Sequence, residues 1–126
     1  MNYEFKVDTQ ESTAYLTVQG DCEIQDLEQV ILEITQHEGF DPELDFLNDF
    51  RGANFKFRSS DMWNFYKLFS RKASADHGKS ALIVSEHSAT EDIMTIHEKS
   101  ASHIREMKVF STREEGLSWL KKKRGA

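Results

Sequence analysis

The residues best able to do chemistry in this chain are carboxylates, histidines and serines near the ends of short apolar runs. Asp45 and Asp49 lie four positions apart in ELDFLNDF, residues 43–50. On a strand their side chains share one face, with Asp49 at the C-terminal end. Two carboxylates so placed can act as acid and base or hold a cation. The plainer reading is preferred: Asp49 accepts hydrogen bonds from the residues after it, or pairs with Arg51. His87 follows an apolar run, with Ser85 and Glu86 beside it. Open parallel sheets bind ligands at that end of a strand. A hydrolytic set there would need Asp45 or Asp49 to reach His87, and no nucleophile-elbow pattern supports one. Ser59 and Ser60 follow Arg58 at the start of a helical pattern, where a phosphate would be favoured by the helix dipole. An N-cap is their ordinary role.

Other motifs fail on spacing. Gly78-Lys79-Ser80 looks like the end of a phosphate-binding loop, but Ala73 stands where the earlier glycine belongs. The segment also leads into a strand rather than a helix. The five histidines (His37, His77, His87, His97 and His103) include no pair four apart on one helix and no cysteine partner, so metal spacing is absent. His97 falls on the apolar side of its helix and reads as a satisfied core-edge residue. Cys22 is the only cysteine, which excludes an internal disulfide and suits a reducing, cytoplasmic setting. No catalytic constellation, metal site or cofactor motif emerges, and the chain reads as non-enzymatic.

The stretch 43–69 is the most unusual in composition. It holds eight aromatics: Phe46, Phe50, Phe55, Phe57, Trp63, Phe65, Tyr66 and Phe69. The whole chain has nine Phe, two Trp and three Tyr, so over half lie in this one stretch. One strand face and one helix face cannot bury them all. Phe46 and the stripe Met62, Phe65, Phe69 and Ala73 read as core. The surplus is Phe50, Phe55, Phe57, Trp63 and Tyr66, which is expected to form a contact surface or line a pocket.

These residues must be positioned by a fold that the rest of the chain spells out. At 126 residues, 38% hydrophobic and 30% charged, it suits one soluble domain, residues 1–126. Residues 3–8 alternate as a half-buried strand, and 13–19 form a second, joined by a four-residue turn into an antiparallel hairpin. Gly20-Asp21 ends that strand. Asp21 caps a helix carrying Ile24, Leu27, Val30, Ile31 and Ile34, with Gly39 as its C-terminal glycine. Residues 44–49 are a strand and 50–58 a loop in which Gly52 can take a positive φ. Ser59 or Ser60 caps a helix to about Ala75, ended by Asp76-His77-Gly78. Residues 80–85 are a nearly continuous apolar run, which marks a buried parallel strand. Ser88 to Glu91 forms a capping box before a helix bearing Ile93, Ile96, His97, Ala101 and Ile104. Residues 107–110 are the last strand. A helix anchored by Leu117, Trp119 and Leu120 follows and closes on Lys121 to Arg124. The order ββαβαβαβα predicts an α/β fold of five strands and four helices, mostly parallel, with an antiparallel first strand at one edge.

Charge limits the partners. The net charge is −6, with −12 in residues 1–50 and +6 in 51–126. An acidic total argues against nucleic acid as the main ligand. The preferred reading of the asymmetry is an acidic half facing a basic half. The basic tail reads as solvent-facing. No apolar run is long enough to span a membrane, and the start has no signal-peptide pattern.

The ending Val109-Phe110 followed by Ser111-Thr112-Arg113-Glu114-Glu115-Gly116-Leu117-Ser118-Trp119-Leu120 resembles that of the small bacterial SpoIIAA-like branch of the STAS domains. The opening Ala14 to Asp21 and the segment Leu44 to Arg51 are similar to that branch too. The resemblance implies a small regulatory domain with helices packed on the sheet and no catalysis. It implies a switch serine at the start of the second main helix, where Ser59 and Ser60 stand, although the Asp-Ser-Ser/Thr-Gly-type run of those regulators is absent. The branch is also compared with lipid-carrying domains. Two functions are therefore expected: contact with a protein partner, or with a second copy of the chain, through the 50–69 surface; or carriage of a small apolar, lipid-like ligand.

Overall fold

The computed structural model describes residues 1–126 except 42, 74–77, 102–105 and 125–126, and leaves out the side chains of 68–73, 101, 123 and 124. Several expectations lie outside the described residues: Phe69 and Ala73 in the helical stripe, the helix end at Asp76-His77, Ala101, His103, Ile104 and the last basic residues.

The strands are β1 (Asn2–Asp8), β2 (Thr13–Cys22), β3 (Asp45–Phe55), β4 (Lys79–Ile83) and β5 (Glu106–Phe110). The helices are α1 (Ile24–Gln36), α2 (Ser59–Ala73), α3 (Ala89–Ala101) and α4 (Arg113–Arg124). The sheet order is β1-β2-β3-β4-β5, with β1 antiparallel to β2 and every other pair parallel. This is the expected α/β architecture, with the antiparallel strand at one edge. The sequential order also fixes the helix layers. Crossovers between parallel strands are right-handed, so three that step the same way along the sheet put their helices on one face. Residues of α1, α2 and α3 share a core with Leu16, Val18, Phe46, Phe50, Leu82 and Met107. The next residues along the strands, Leu47, Ala81 and Ile83, face the other way and pack with Leu117, Trp119 and Leu120 of α4.

Gly116 lets α4 approach that second face. A Cβ there would lie 2.7 Å from Ile83 Cδ1, 3.1 Å from Leu47 Cδ1 and 3.3 Å from the Ala81 Cβ.

Several boundaries differ from the sequence reading. β2 continues through Gly20-Asp21 to Cys22, with a register shift between Thr17 and Gln19 and φ +87° at Gly20. Extended chain is therefore kept through a left-handed glycine, which the sequence reading took as a stop. Likewise 50–55 is strand rather than loop. Gly52, Ala53, Asn54 and Phe55 pair with Gln19, Gly20, Asp21 and Cys22, so the lengthening of β2 and β3 is one event. Gly52 is not among the positive-φ residues. The α1 N-cap is Glu23, whose backbone carbonyl receives the Asp26 N–H while Asp26 Oδ2 receives the Glu23 N–H. Asp21 instead accepts from Asn54 Nδ2. The α1 C-cap is His37 in extended conformation, and Gly39 donates its N–H to His37 Nδ1. Before α2, Arg58 donates its N–H to Asp61 Oδ2, so Ser59 and Ser60 lie inside the first turn. The cap of α3 matches the expectation more closely, and α4 is capped in the same way. Glu91 N–H donates to Ser88 Oγ, and Glu115 N–H donates to Thr112 Oγ1.

Candidate functional site

The structure divides the five surplus aromatics. Phe50, Phe55 and Tyr66 are 3%, 5% and 6% exposed, and Phe57 and Trp63 are half-buried. The extension of β3 explains part of this. Phe50 sits on the helix-covered face, its ring meets Phe55 edge-on at 5.2 Å, and Phe55 stacks on Phe57 at 4.6 Å. A strand to Phe55 thus buries rings that a loop would have left at the surface.

Phe50 and Tyr66 line a cavity of about 60 Å³ between the sheet and the helices. Its floor is the middle of β2, β3 and β4, with Leu16, Phe46, Asn48 and Leu82. Its roof comes from three helices: Leu27 and Ile31 of α1, Met62, Phe65 and Tyr66 of α2, and His97 of α3. Most of the lining is buried, whereas Ile31, Phe65 and Asn48 are half-buried. Ile31 and Phe65 therefore mark a mouth between α1 and α2. The partial exposure of Asn48, central on β3, shows that the space reaches the sheet.

The lining is mostly apolar, with Ser80 and Met107 completing it, and two side-chain atoms of its residues, Asn48 Oδ1 and His97 Nδ1, have almost no accessible surface and no hydrogen-bond partner among the described residues. His97 is 3% exposed and its ring meets Tyr66 edge-on, with centroids 4.9 Å apart. Burial pushes its pKa down from 6.5 to about 4, so the imidazole is neutral at physiological pH. The expectation of a satisfied core-edge histidine is thus corrected at Nδ1. A buried polar atom without a partner loses its hydration without compensation. The signal for Asn48 was present in the sequence, since it alternates with Phe46 and Phe50 on an apolar face. That His97 lines the same space depends on long-range packing and was not readable.

The carboxylates form a different site on the other face. Arg51 clasps Asp49 through Nε to Oδ1 at 3.0 Å and one terminal nitrogen to Oδ2 at 2.7 Å, and its backbone N–H reaches Oδ1 at 3.1 Å. Arg113 of α4 stands 3.7 Å from Oδ2. Burial alone would raise the Asp49 pKa. The Arg51 hydrogen bonds and the two cations outweigh it and hold the carboxyl below its usual range. Asp45 accepts the Lys79 N–H at the other end of β3. Neither carboxylate therefore serves His87, and the acid–base pair and the hydrolytic set are not assembled.

His87 is exposed at the C-terminal end of β4, with φ 61°, and donates its N–H to Glu91. Ser85 Oγ donates to the Arg51 carbonyl. Ser59 is half-buried and Ser60 exposed. Among the described residues, no group of three or more His, Cys, Asp and Glu side chains can hold a metal ion, and no helix is long and apolar enough to cross a membrane. The ion pairs among these residues join Asp8 to Lys6, and Asp49 to Arg51 and Arg113, and none joins the acids of α1 to the basic half. Compared with family models, curated proteins and solved structures, the chain matches none.

Proposed function

We propose that this chain is a non-catalytic binding module that takes a small, mostly apolar ligand into the cavity beneath α1, α2 and α3. One observation carries the reading: a mostly apolar space lined from the sheet and three helices, with Asn48, Ser80, Tyr66 and His97 among its lining residues and the half-buried Ile31 and Phe65 at its edge. Binding sites are commonly of this kind, apolar walls with a few placed polar groups. The volume sets the scale. At about 60 Å³ the space suits four or five waters or a ligand of a few heavy atoms. An acyl chain would enter only if the helices parted. The buried Cys22 suits a reducing, cytoplasmic setting. The element order and the Phe110 to Leu120 ending are what support a kinship with the SpoIIAA-like STAS domains.

Ligand-observed NMR with a panel of small neutral molecules tests the proposal. Binding is expected in the wild-type chain and is expected to be lost in Ile31→Trp, which fills the mouth. Equal binding by both would place the ligand elsewhere. A second reading, contact with a protein partner or with a second copy, is favoured by the half-buried Phe57 and Trp63 and by Leu32 and Ile96, which are 41% and 49% exposed on the helical layer. Light scattering with Trp63→Ala tests it: an unchanged oligomeric state and unchanged partner capture would remove it. In that reading Ser60 is the more accessible of the two candidate phosphorylation sites.

A further inference from the structure

The sheet begins with β1, which pairs with β2 alone and leaves its outer edge without a strand partner. An open edge recruits further strands unless something guards it. At the opposite edge, Glu98 of α3 occupies the Val109 N–H of β5 with a 2.9 Å hydrogen bond. β1 has neither proline nor bulge, and it pairs with β2 in unbroken register from Asn2 to Asp8. Its side chains divide by parity. Tyr3, Phe5 and Val7 are half-buried and pack on the helix-covered core, whereas Glu4 and Lys6 stand exposed on the other face. Lys6 is the sole Lys or Arg among residues 1–50, which hold thirteen Asp and Glu. Its side chain is 74% exposed, and its contact with Asp8, at 3.9 Å, is at the limit of an ion pair. The one cation of the acidic half thus lies on the open edge, two residues from an acid.

That placement suits a second copy of the chain. Two β1 strands paired antiparallel about a twofold axis must keep their apolar faces together, so the axis passes through a residue and not between two. Only an axis at Phe5, the middle of the strand, gives every residue from Asn2 to Asp8 a partner. It sets Glu4 against Lys6 of the second copy, and Lys6 against Glu4 of the second copy. Phe5 then meets its own counterpart, and Tyr3 meets Val7 of the second copy. An axis one residue to either side sets Glu4 against Glu4 or Lys6 against Lys6, and like charges directly opposite are destabilising. Full overlap and opposite charge therefore select the same register. We infer that β1 is a homodimerisation edge, through which two copies join antiparallel at Phe5 and merge their five-stranded sheets into one. Neither the cavity nor Trp63 takes part.

Charge exchange at two exposed positions tests the pairing without disturbing the core. Analytical ultracentrifugation of the full chain is run up to millimolar concentration in physiological salt, where long-range repulsion between acidic chains is screened. The wild-type chain is expected to dimerise. Glu4→Lys and Lys6→Glu each set like charges against one another at both pairs, and each is expected to weaken the dimer by at least about tenfold. An equimolar mixture of the two variants restores opposite charges at both pairs and is expected to form a heterodimer at least as tight as the wild-type dimer. The double variant Glu4→Lys, Lys6→Glu exchanges the charges in place and is expected to dimerise as wild type does, as is Trp63→Ala. Circular dichroism checks that each variant is folded, and if one single variant does not fold, the other is compared with the double variant. A wild-type chain that stays monomeric at millimolar concentration overturns the inference. So does a dimer that neither single variant weakens, or a failure of the two variants to pair on mixing. A dimer lost in Trp63→Ala but kept in both charge variants also overturns it and places the contact at the 50–69 surface. None of these outcomes bears on ligand binding in the cavity.

Discussion

Protonation of His97 should cost this protein stability over a defined acid range. The side chain is 3% exposed, and burial lowers its pKa from 6.5 to about 4. The unfolded chain therefore takes up a proton at this residue near pH 6.5, while the folded chain resists until about pH 4. Between those values the unfolded state holds more protons, so unfolding free energy falls as pH falls. The 2.5-unit gap between 6.5 and about 4 corresponds to about 3 kcal/mol in full, of which about 2 kcal/mol is already lost on going from pH 7 to pH 5. That is a large part of the stability of a domain this size. Urea unfolding followed by circular dichroism at pH 7, 6, 5 and 4 measures it. His97→Phe keeps a ring against Tyr66, and His97→Leu removes it; neither titrates. Both variants should lose far less stability than wild type between pH 7 and pH 5. If wild type and both variants lose the same amount in that window, His97 is not held neutral by burial.

Three further outcomes follow from the packing. Gly116→Ala should destabilise by about 1 kcal/mol in thermal or urea unfolding, because crowding against Ile83 and Leu47 outweighs the helix propensity gained, and Ile83→Val in the same chain should restore part of the loss by removing Cδ1. Asp49→Asn should cost about 1–2 kcal/mol at pH 7, since it breaks charge-assisted hydrogen bonds to a partly exposed Arg51. The Asp49 pKa is lowered on folding, so its contribution is present above the ordinary carboxylate pKa of 3.8 and fades below it; the gap between wild type and variant should close as pH falls through that range. Cys22 is fully buried and its pKa is pushed up to about 12, so a thiol reagent at pH 7.5 should label the protein only in denaturant, and rapid labelling of folded protein would contradict the burial.

How much of this was legible in the sequence can be traced residue by residue. Alternation along 44–49 assigned Phe46 and Asn48 to one face and Leu47 and Asp49 to the other, and the two cores divide there. The apolar run at 80–85 announced a strand covered on both faces. The antiparallel edge followed from the short turn at 9–12. All of these depend on spacing within one segment. The misreadings share a physical cause, which is pairing between segments. Gly20 and Gly52 look like stops when each strand is taken alone, yet Gly20 pairs with Ala53 and Gly52 with Gln19, so each strand supplies the partner that keeps the other extended. The same pairing carries Phe50 and Phe55 into the core and removes them from the surface that an aromatic loop had suggested. Of the five aromatics in excess of one helix and one short strand, Phe50 and Phe55 are no longer in excess once that strand reaches Phe55, while Phe57 and Trp63 stay half-buried.

The cavity inverts the usual relation between a core and its polar residues. A central parallel strand covered by helices ordinarily carries apolar side chains on that face, because nothing else recovers the hydration lost there. Leucine at 48 would fill the space with no polar atom to satisfy, and phenylalanine at 97 would stack on Tyr66 without titrating. Asparagine and histidine in those places spend stability, and His97 spends more of it with every proton it is offered below pH 6.5. Such a local inconsistency between a residue and its surroundings marks functional positions more often than structural ones. The two inconsistencies come from different elements, β3 and α3, and converge on one space whose half-buried lip lies between α1 and α2. Convergence of that kind is what a packing accident, confined to one element, would not produce. The proposal of a binding role for this cavity is put at risk by the double variant Asn48→Leu, His97→Phe. A chain that becomes more stable and loses small-ligand binding would show that stability had been given up for a site. A chain that becomes less stable would show that the two polar residues serve the fold after all.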